Sequence, residues 1–356
     1  MDKKKITAYK GFDKDFKCLG FQYEVGREYV TDKVKCCESG FHACENPFDV
    51  WDYYNITGSR FALVEQSGKI VREEDKTCSS KICIKEEIGL GDFIHTSVGW
   101  IVSKTRFETD CNVSSGNYAQ IGSSGNSAQI GSSGNYAKIG SSGYSAKIGS
   151  SGYSAKIGSS GNYAQIGSSG NYAQIGSSGN YAQIGSSGNY AQIGSSGNYA
   201  QIGSSGYSAK IGSSGDYAQI GSSGNSAQIG SSGNYAKIGS SGYSAQIGSS
   251  GNYAQIGSSG DSAKIGSSGD SAKIGSSGDC VQIKSEGKNC VICCAGNKSA
   301  ARAKKGSWIT LSEWGYIDDE WVPVCVKTER VDGVRIKEDT WYKLKNGEFV
   351  ETEQED

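Results

Sequence analysis

The sequence predicts a mainly β protein whose central part is a β-solenoid of nine-residue repeats, with two units in each 18-residue coil. Three observations predict this fold. The phrase S-S-G-N-Y-A-Q-I-G recurs from Ser114 onward, an isoleucine stands at every ninth residue from Ile121 to Ile283, and apolar and polar residues alternate within each unit. Repetition at a short fixed period, here through nineteen regular units, is typical of solenoids.

Three segments follow from the changes in composition along the chain. We predict a small α+β N-terminal domain at residues 1–110, the solenoid at 111–303, and a β-rich C-terminal cap with an acidic tail at 304–356. The 356 residues include 52 glycines and 2 prolines, and 36% are hydrophobic. The glycine follows no triplet period, which excludes collagen, and the modest apolar content suits the narrow core of a repeat array.

The alternation within the unit decides its secondary structure, with positions numbered 1 to 9 along S-S-G-N-Y-A-Q-I-G. Ala119 and Ile121 are two residues apart, with a polar residue between them. A period of two predicts a strand over N-Y-A-Q-I with alanine and isoleucine inward. We expect G-S-S-G to form the turn, with glycines at positive φ and with hydrogen-bonded serine ladders. The predicted core includes Ala119, Ile121, Ala128, Ile130, Ile139 and Ile283.

Stacking is required because one such strand cannot bury its apolar face alone. Two units per coil are favoured by analogy with calcium-binding nonapeptide rolls, and a triangular coil of three units remains open. The aspartate that those rolls use for Ca²⁺ is absent from most units, so no metal or other cofactor is predicted.

Tyrosines at position 5 form the candidate binding face. With two units per coil, alternate units face opposite sides, and one side carries a tyrosine in six successive coils. This surface is interpreted either as a flat binding face or as a stack in which identical side chains stabilise one another. Self-association through this face, or through the open solenoid ends, is also expected. The six residues are Tyr163, Tyr181, Tyr199, Tyr217, Tyr235 and Tyr253.

Charge and targeting signals narrow the setting. The 36 basic residues balance 37 acidic ones, which disfavours nucleic acid as a partner. No stretch approaches ~18 apolar residues, so no membrane partner is expected, and the N-terminus lacks the apolar core of a signal peptide. We therefore expect a cytoplasmic protein, in the host cell or virion if phage-encoded, whose 12 cysteines are free thiols.

The C-terminal segment is predicted to close the last coil. SWITLSEW and WVPVCVKTERV are strand-like, and DTWYKLKNGEFVE predicts a hairpin with its turn at Asn346-Gly347. Trp308, Trp314 and Trp321 are expected in the core.

The N-terminal segment contains a group of residues with metal-binding or nucleophilic side chains. Cys36, Cys37, His42 and Cys44 are close in sequence, but their spacing is not that of a zinc site, so no metal is predicted. His42 and Cys44 remain the candidate N-terminal site, as a base and a nucleophile. No third residue marks a catalytic triad, and no catalytic residue is assigned.

A structural interpretation of the same segment competes with the catalytic one. Gly40-Phe41-His42 would form a packed turn before an amphipathic helix at Pro47–Tyr54, with Asn46 as its N-cap. RFALVEQSGKI and SSKICIKEEI are then strands of the α+β domain.

The flanks resemble a known family through the segments AYKGFDKDFKCLGFQYEVG, GFHACENPFDVWDYY and DTWYKLKNGEFVE around a low-complexity repeat. It is an uncharacterised family of bacteriophages, prophages and their bacterial hosts. The resemblance implies a genomic setting and no mechanism.

Three functions are therefore compared. The leading hypothesis is a non-enzymatic scaffold that presents its Tyr/Ser/Gln/Lys surface to an unknown protein partner. The alternative is that the N-terminal domain is an enzyme or effector of phage–host conflict, with the solenoid as a spacer. The third is ice binding, which a threonine ladder would favour, and no threonine occurs between Ser114 and Ile283.

Overall fold

The computed structural model describes residues 5–104 and 111–353, with Cys111 as backbone alone. The predicted boundary at residue 110 and the end of the acidic tail lie outside the described residues. The chain divides into two compact parts, and the division falls within the repeats. These two parts are called the first unit and the second unit, as distinct from the nine-residue repeat units. The first unit comprises Met1–Ala182 and Gln192–Ser196, and the second comprises Gln183–Ala191 and Gly197–Asp356.

The N-terminal domain is a five-stranded antiparallel sheet in the order β1-β6-β7-β4, with β5 paired to β7. The predicted strands RFALVEQSGKI and SSKICIKEEI are confirmed as β6 and β7, whereas the helix α1 was not predicted. The elements are β1(Ile6–Phe12), β2(Lys17–Cys18), β3(Phe21–Gln22), β4(Glu28–Val30), β5(Phe41–Ala43), a 3₁₀ helix (Pro47–Asp52), β6(Arg60–Arg72), β7(Thr77–Ile88) and α1(Leu90–Lys104).

The short helix begins where the sequence predicts and is a 3₁₀ helix. The Asn46 side chain accepts a hydrogen bond from the Phe48 N–H at 3.1 Å, and Pro47 occupies the first turn, where its missing N–H costs nothing. The helix ends at Asp52, and five of its six residues are buried.

The repeat forms a β-solenoid of short parallel strands with an 18-residue coil. Gln129 is paired with Lys147 and Ile130 with Ile148, each two repeat units further along the chain. This register confirms two units per coil and rules out the coil of three units. Even-numbered strands pair with even-numbered ones and odd with odd.

Each nine-residue repeat contributes one four-residue strand, either to the even-numbered set or to the odd-numbered set. In the first unit the strands are β8(Cys111–Ser114), β9(Gln120–Ser123), β10(Gln129–Ser132), β11(Lys138–Ser141), β12(Lys147–Ser150), β13(Lys156–Ser159), β14(Gln165–Ser168), β15(Gln174–Ser177) and β17(Gln192–Ser195). In the second they are β16(Gln183–Ser186), β18(Gln201–Ser204), β19(Lys210–Ser213), β20(Gln219–Ser222), β21(Gln228–Ser231), β22(Lys237–Ser240), β23(Gln246–Ser249), β24(Gln255–Ser258), β25(Lys264–Ser267), β26(Lys273–Ser276), β27(Gln282–Ser285) and β28(Val291–Cys294).

The strand is Q-I-G-S, three residues later in the unit than N-Y-A-Q-I. Alanine and isoleucine are inward as predicted, and the first serine of the unit joins them in the core. Of the predicted core residues, Ile121, Ala128, Ile130, Ile139 and Ile283 are buried. Ala119, in the first coil, is half-buried.

The turn is therefore S-G-N-Y-A, and its positive φ falls on position 5. Tyr163 has a φ of 56° and Ser208 one of 54°, whereas none of the described repeat glycines has positive φ. The position-3 glycine serves close stacking instead. A Cβ on Gly233 would lie 2.0 Å from the carbonyl oxygen of Gly215 in the preceding coil. The prediction that the repeat glycines adopt positive φ was wrong. Position 3 requires glycine because the backbones of adjacent coils approach each other closely there, and not because of its φ.

Hydrogen bonds between coils come mainly from the backbone and from position 4. The Oδ1 of Asn117 accepts a hydrogen bond from the N–H of Asn135 at 3.0 Å, and Asp261 accepts one from Asp279 in the same way. The position-1 serines give little of the predicted ladder, since most of their buried hydroxyls have no partner within the described residues. Position 4 is thus structural where it is Asn or Asp.

The C-terminal segment ends the solenoid with antiparallel hairpins. The predicted turn at Asn346-Gly347 is confirmed, since φ is 53° and 71° at these residues. Trp308 and Trp321 are about half exposed, at 46% and 54%, so their assignment to the core was wrong. The strands are β29(Ala300–Arg302), β30(Trp308–Ile317), β31(Glu320–Arg330), β32(Trp341–Lys345) and β33(Glu348–Thr352).

Candidate functional site

A row of position-9 glycines on the odd-numbered strands of the first unit is covered by the N-terminal domain. We call this row, Gly140, Gly158, Gly176 and Gly194, the covered glycine row. Its members face outward beside the inward-facing isoleucines. A Cβ on Gly158 would lie 2.8 Å from Phe48 Cζ, and one on Gly176 would lie 3.0 Å from Trp51 Cη2. A larger residue at either position would press against the side chains of the N-terminal domain that cover the row.

Helix α1 runs along the covered glycine row with one apolar side chain per coil. The α1 side chains beside successive glycines of the row are, in turn, those of Ile101, Val98, Ile94 and Leu90. One helical turn advances about 5.4 Å and one coil about 4.8 Å, so an i, i+4 apolar stripe keeps pace with the glycines. The phenylalanine of this helix, Phe93, is buried in the domain core.

The neighbouring row of position-7 side chains makes polar contacts with the 3₁₀ helix and the residues after it. Lys138 Nζ forms an ion pair with Asp49, and Lys156 Nζ lies 2.6 Å from Asp52 Oδ2. Gln174 Nε2 donates a hydrogen bond to the carbonyl of Trp51 at 2.8 Å. The contact is therefore apolar along position 9 and polar along position 7.

The lysine pair is distinctive among the repeats. Seven of the regular units have lysine at position 7, and just Lys138 and Lys156 among them are two units apart. They are paired in register on β11 and β13, where like charges repel. Burial raises the pKa of Asp49 above its usual range, although both lysines oppose this. The ion pairs thus offset part of the cost of burying the Asp49 carboxylate.

Other position-9 glycines remain uncovered. On the even-numbered strands of the first unit, Gly149 and Gly167 would have no atom within 4 Å of an added Cβ. In the second unit a shallow groove of about 400 Å³ runs over Gly230, Gly248 and Gly266. The groove ends at Lys284 and Glu286, which form an ion pair.

The predicted tyrosine face is a corner ladder. All six tyrosines lie in turns, each about half exposed, with φ between 56° and 59°. Tyr163 and Tyr181 stack at 4.9 Å in the first unit, and Tyr217 and Tyr235 do so in the second. This geometry favours mutual stabilisation of the stack.

Tyrosines at position 4 extend the ladders, which the sequence analysis missed. Tyr153 stands beside Ser154, and its ring centroid lies 5.2 Å from that of Tyr172. Position 4 therefore supplies a ring in four of the regular units whose position 5 is serine, and these rings belong to Tyr144, Tyr153, Tyr207 and Tyr243.

Of the two residues of the candidate N-terminal site, His42 lies in β5 and Cys44 directly follows that strand. Cys44 is buried in the hydrophobic core with Phe48 and Trp51, and burial raises the pKa of its thiol to about 12. A thiol in that state is a poor nucleophile at neutral pH. The structure does not bring the two side chains together as a base and nucleophile.

His42 instead belongs to a cluster with Cys36 and Cys78, whose ligand atoms all lie within 4.8 Å of one another. Cys78 is distant from His42 in sequence and directly opposite it across β5 and β7. Strand register brings them together, and spacing along the chain gave no sign of it. Within the part of the chain that the structure describes, these three residues are the group that can hold a metal. The eleven cysteines whose side chains are described form no disulfide.

No helix within the described ranges is long and apolar enough to span a membrane.

Comparison with known proteins found a match for the N-terminal domain alone. No curated protein and no solved structure matches the chain. Residues 6–96, from β1 into α1, match a family described as a domain of unknown function (DUF7666).

Proposed function

We propose that the protein is a non-enzymatic β-solenoid scaffold that binds protein partners on its uncovered position-9 glycine rows. One observation carries the proposal: the chain already uses such a row to bind helix α1 of its own N-terminal domain. The partner element that fits is an amphipathic helix with one apolar side chain per turn, because the pitch of such a helix is close to the coil spacing.

The glycines of the uncovered rows support a binding role because the coil does not itself need them. Lys284 is paired with Gly266 in the adjacent strand, and Cys293 with Gly275. The strand therefore accepts a side chain at position 9. A glycine within a strand costs about 0.5–1 kcal/mol relative to alanine. A partner that packs closely against the strand from outside would explain why glycine nevertheless occupies position 9.

Position 7 would supply specificity in the same way as it does for the N-terminal domain. A row of glutamine and lysine beside the glycines offers hydrogen-bond donors and isolated positive charges. A partner helix with carboxylates spaced like Asp49 and Asp52 would select the coils whose lysines match.

Site-specific photo-crosslinking in cells tests the scaffold function. A photoreactive residue replaces Gln165, which faces outward on the even-numbered strands beside the uncovered Gly167. We expect discrete cross-linked proteins that disappear when Gly149 and Gly167 are both changed to leucine. The matched control is the same replacement at Gln174, which should cross-link within the chain, to the segment around Trp51. Absence of cross-linked proteins, or products unaffected by the leucines, would contradict the proposal.

The setting we propose is the cytoplasm of a bacterial host, with the gene carried by a phage or prophage. The resemblance of the flanking segments to proteins of phages and prophages supports it. Phage genes on both sides of the coding sequence would be the expected finding, and a bacterial operon without phage genes would contradict it.

A further inference from the structure

The turn between β4 and β5 brings a cysteine next to a cross-strand pair of metal-ligand residues. His42 on β5 is directly opposite Cys78 on β7, so both side chains project from the same side of the sheet. Lys35 and Ser39 form an isolated bridge that closes the turn holding Cys36. The sheet and this turn together fix three donor atoms within 4.8 Å of one another.

We propose that Cys36, His42 and Cys78 bind a zinc ion, or another divalent cation that prefers sulfur and nitrogen. Two sulfurs and one imidazole nitrogen are among the most common zinc donor sets. Zinc–sulfur bonds of about 2.3 Å place two sulfurs about 3.8 Å apart in a tetrahedral site. The cluster therefore needs to contract by about 1 Å or less.

The surroundings of His42 favour its role as a ligand. Its Nε2 accepts a hydrogen bond from the Cys37 N–H at 3.0 Å, so this nitrogen carries a lone pair and no proton. An imidazole that accepts a hydrogen bond is neutral, as a metal ligand must be. Zinc would replace one of the backbone hydrogen bonds of the ring.

A fourth ligand is available from the turn between β6 and β7. The Glu73 carboxylate lies within hydrogen-bonding reach of the Cys36 thiol and 3.9 Å from Cys37 Sγ. A carboxylate oxygen or a water can complete the tetrahedron. The bound ion would tie the turn that holds Cys36 to β7, the strand that Gly40 already approaches so closely that an added Cβ would lie 2.5 Å from Cys78 Sγ.

Proton balance gives the inference a second signature. Zinc binds cysteine as the thiolate, whereas a free cysteine thiol is largely protonated at pH 7. Binding of Zn²⁺ therefore forms two Zn–S bonds and one Zn–N bond and releases about two protons to the solvent. Affinity rises with pH for that reason.

Metal content of the full-length protein tests the site. After expression with zinc and removal of loosely bound metal, elemental analysis should find about one ion per chain. Replacement by Co²⁺ should give thiolate-to-cobalt charge-transfer absorption, and zinc added to the metal-free protein in weak buffer should release about two protons per ion. Metal-free protein that binds neither ion would overturn the inference.

Matched variants separate a binding site from a general effect on folding. Cys36→Ser and His42→Ala should abolish binding, while Cys37→Ser beside the first and Cys83→Ser on the same strand as Cys78 should retain it. Should a variant fold poorly, alkylation of Cys36 in the unmodified chain gives the same answer, because zinc should slow it and a chelator should restore it. Loss of binding in all four variants, or equal alkylation with and without zinc, would refute the site.

Discussion

Two faces of the first unit share one sequence and differ in what covers them. The odd-numbered strands bind α1 and the 3₁₀ helix on the covered glycine row, and the even-numbered strands present Gly149 and Gly167 uncovered. Both faces repeat Q-I-G-S or K-I-G-S. The difference lies in position 7, where lysines follow one another at Lys138 and Lys156 on the covered face alone. These two lysines are thus the sequence feature that distinguishes the covered face from the uncovered one.

The largest expected effect separates the two kinds of repeat glycine and so sharpens that comparison. Gly233→Ala should destabilise the second unit by about 3 kcal/mol or more, because the new Cβ would overlap the Gly215 carbonyl at 2.0 Å. The control is Gly230→Ala at position 9, three residues earlier, with no atom within 4 Å. It should be neutral or slightly stabilising. Chemical denaturation measures both, and equal costs would show that position 9 is also needed for stacking.

The lysine pair is the next test of what distinguishes the two faces. Lys138→Gln should weaken docking by about 2 kcal/mol because it leaves the Asp49 carboxylate buried without its ion-pair partner. Exchange of amide hydrogens in α1 should then rise about 30-fold, since about 1.4 kcal/mol is a factor of ten.

Two further variants test whether the effect of Lys138→Gln comes from the unpaired charge of Asp49 and whether it is specific to the covered face. Lys138→Gln combined with Asp49→Asn should recover most of the loss, because the raised pKa of Asp49 indicates that its charge is costly in the docked state. Lys147→Gln on the even-numbered strands is the control and should leave exchange unchanged. If Lys147→Gln has the same effect as Lys138→Gln, the charge pair does not define the docking place.

The smallest expected effect concerns the corner between the faces. Tyr217→Val should cost about 1–2 kcal/mol, because a β-branched residue is strained at the φ of 57° found there. Tyr217→Ser should cost less than about 1 kcal/mol, since serine occupies the same conformation at Ser208. Thermal unfolding distinguishes the two. A more stable valine variant would place the tyrosine in a strand, where valine is favoured.

Periodicity was enough to predict the solenoid and its alanine–isoleucine core, whereas the two-unit coil was favoured by analogy with nonapeptide rolls. It could not set the strand limits, because a buried serine and an outward glycine give Q-I-G-S no apolar alternation beyond the isoleucine. Position 5 looked like an outward strand residue because turns at positive φ usually contain glycine or asparagine, and here they contain tyrosine. The stacking of aromatic rings offsets that strain.

The docking interface and the metal-ligand cluster could not be predicted from the sequence, for a different reason. Each depends on residues far apart in the chain, such as Asp49 with Lys138 or His42 with Cys78. Nothing in the order of residues marks one lysine among seven as a partner of a distant carboxylate. Helix α1 was missed for another reason: Gly91 and Gly99 give the segment a low helix propensity, although its apolar residues have helical spacing.

Hydrogen exchange of α1 in a matched pair of glycine variants tests the central claim, that position-9 glycines form docking surfaces. Gly158→Leu places a side chain between the strand and Phe48, and Gly167→Leu adds the same side chain on the uncovered face. We predict at least about tenfold faster exchange in α1 for Gly158→Leu and unchanged exchange for Gly167→Leu, with the solenoid strands protected in both. Equal exchange of α1 in the two variants would contradict the account.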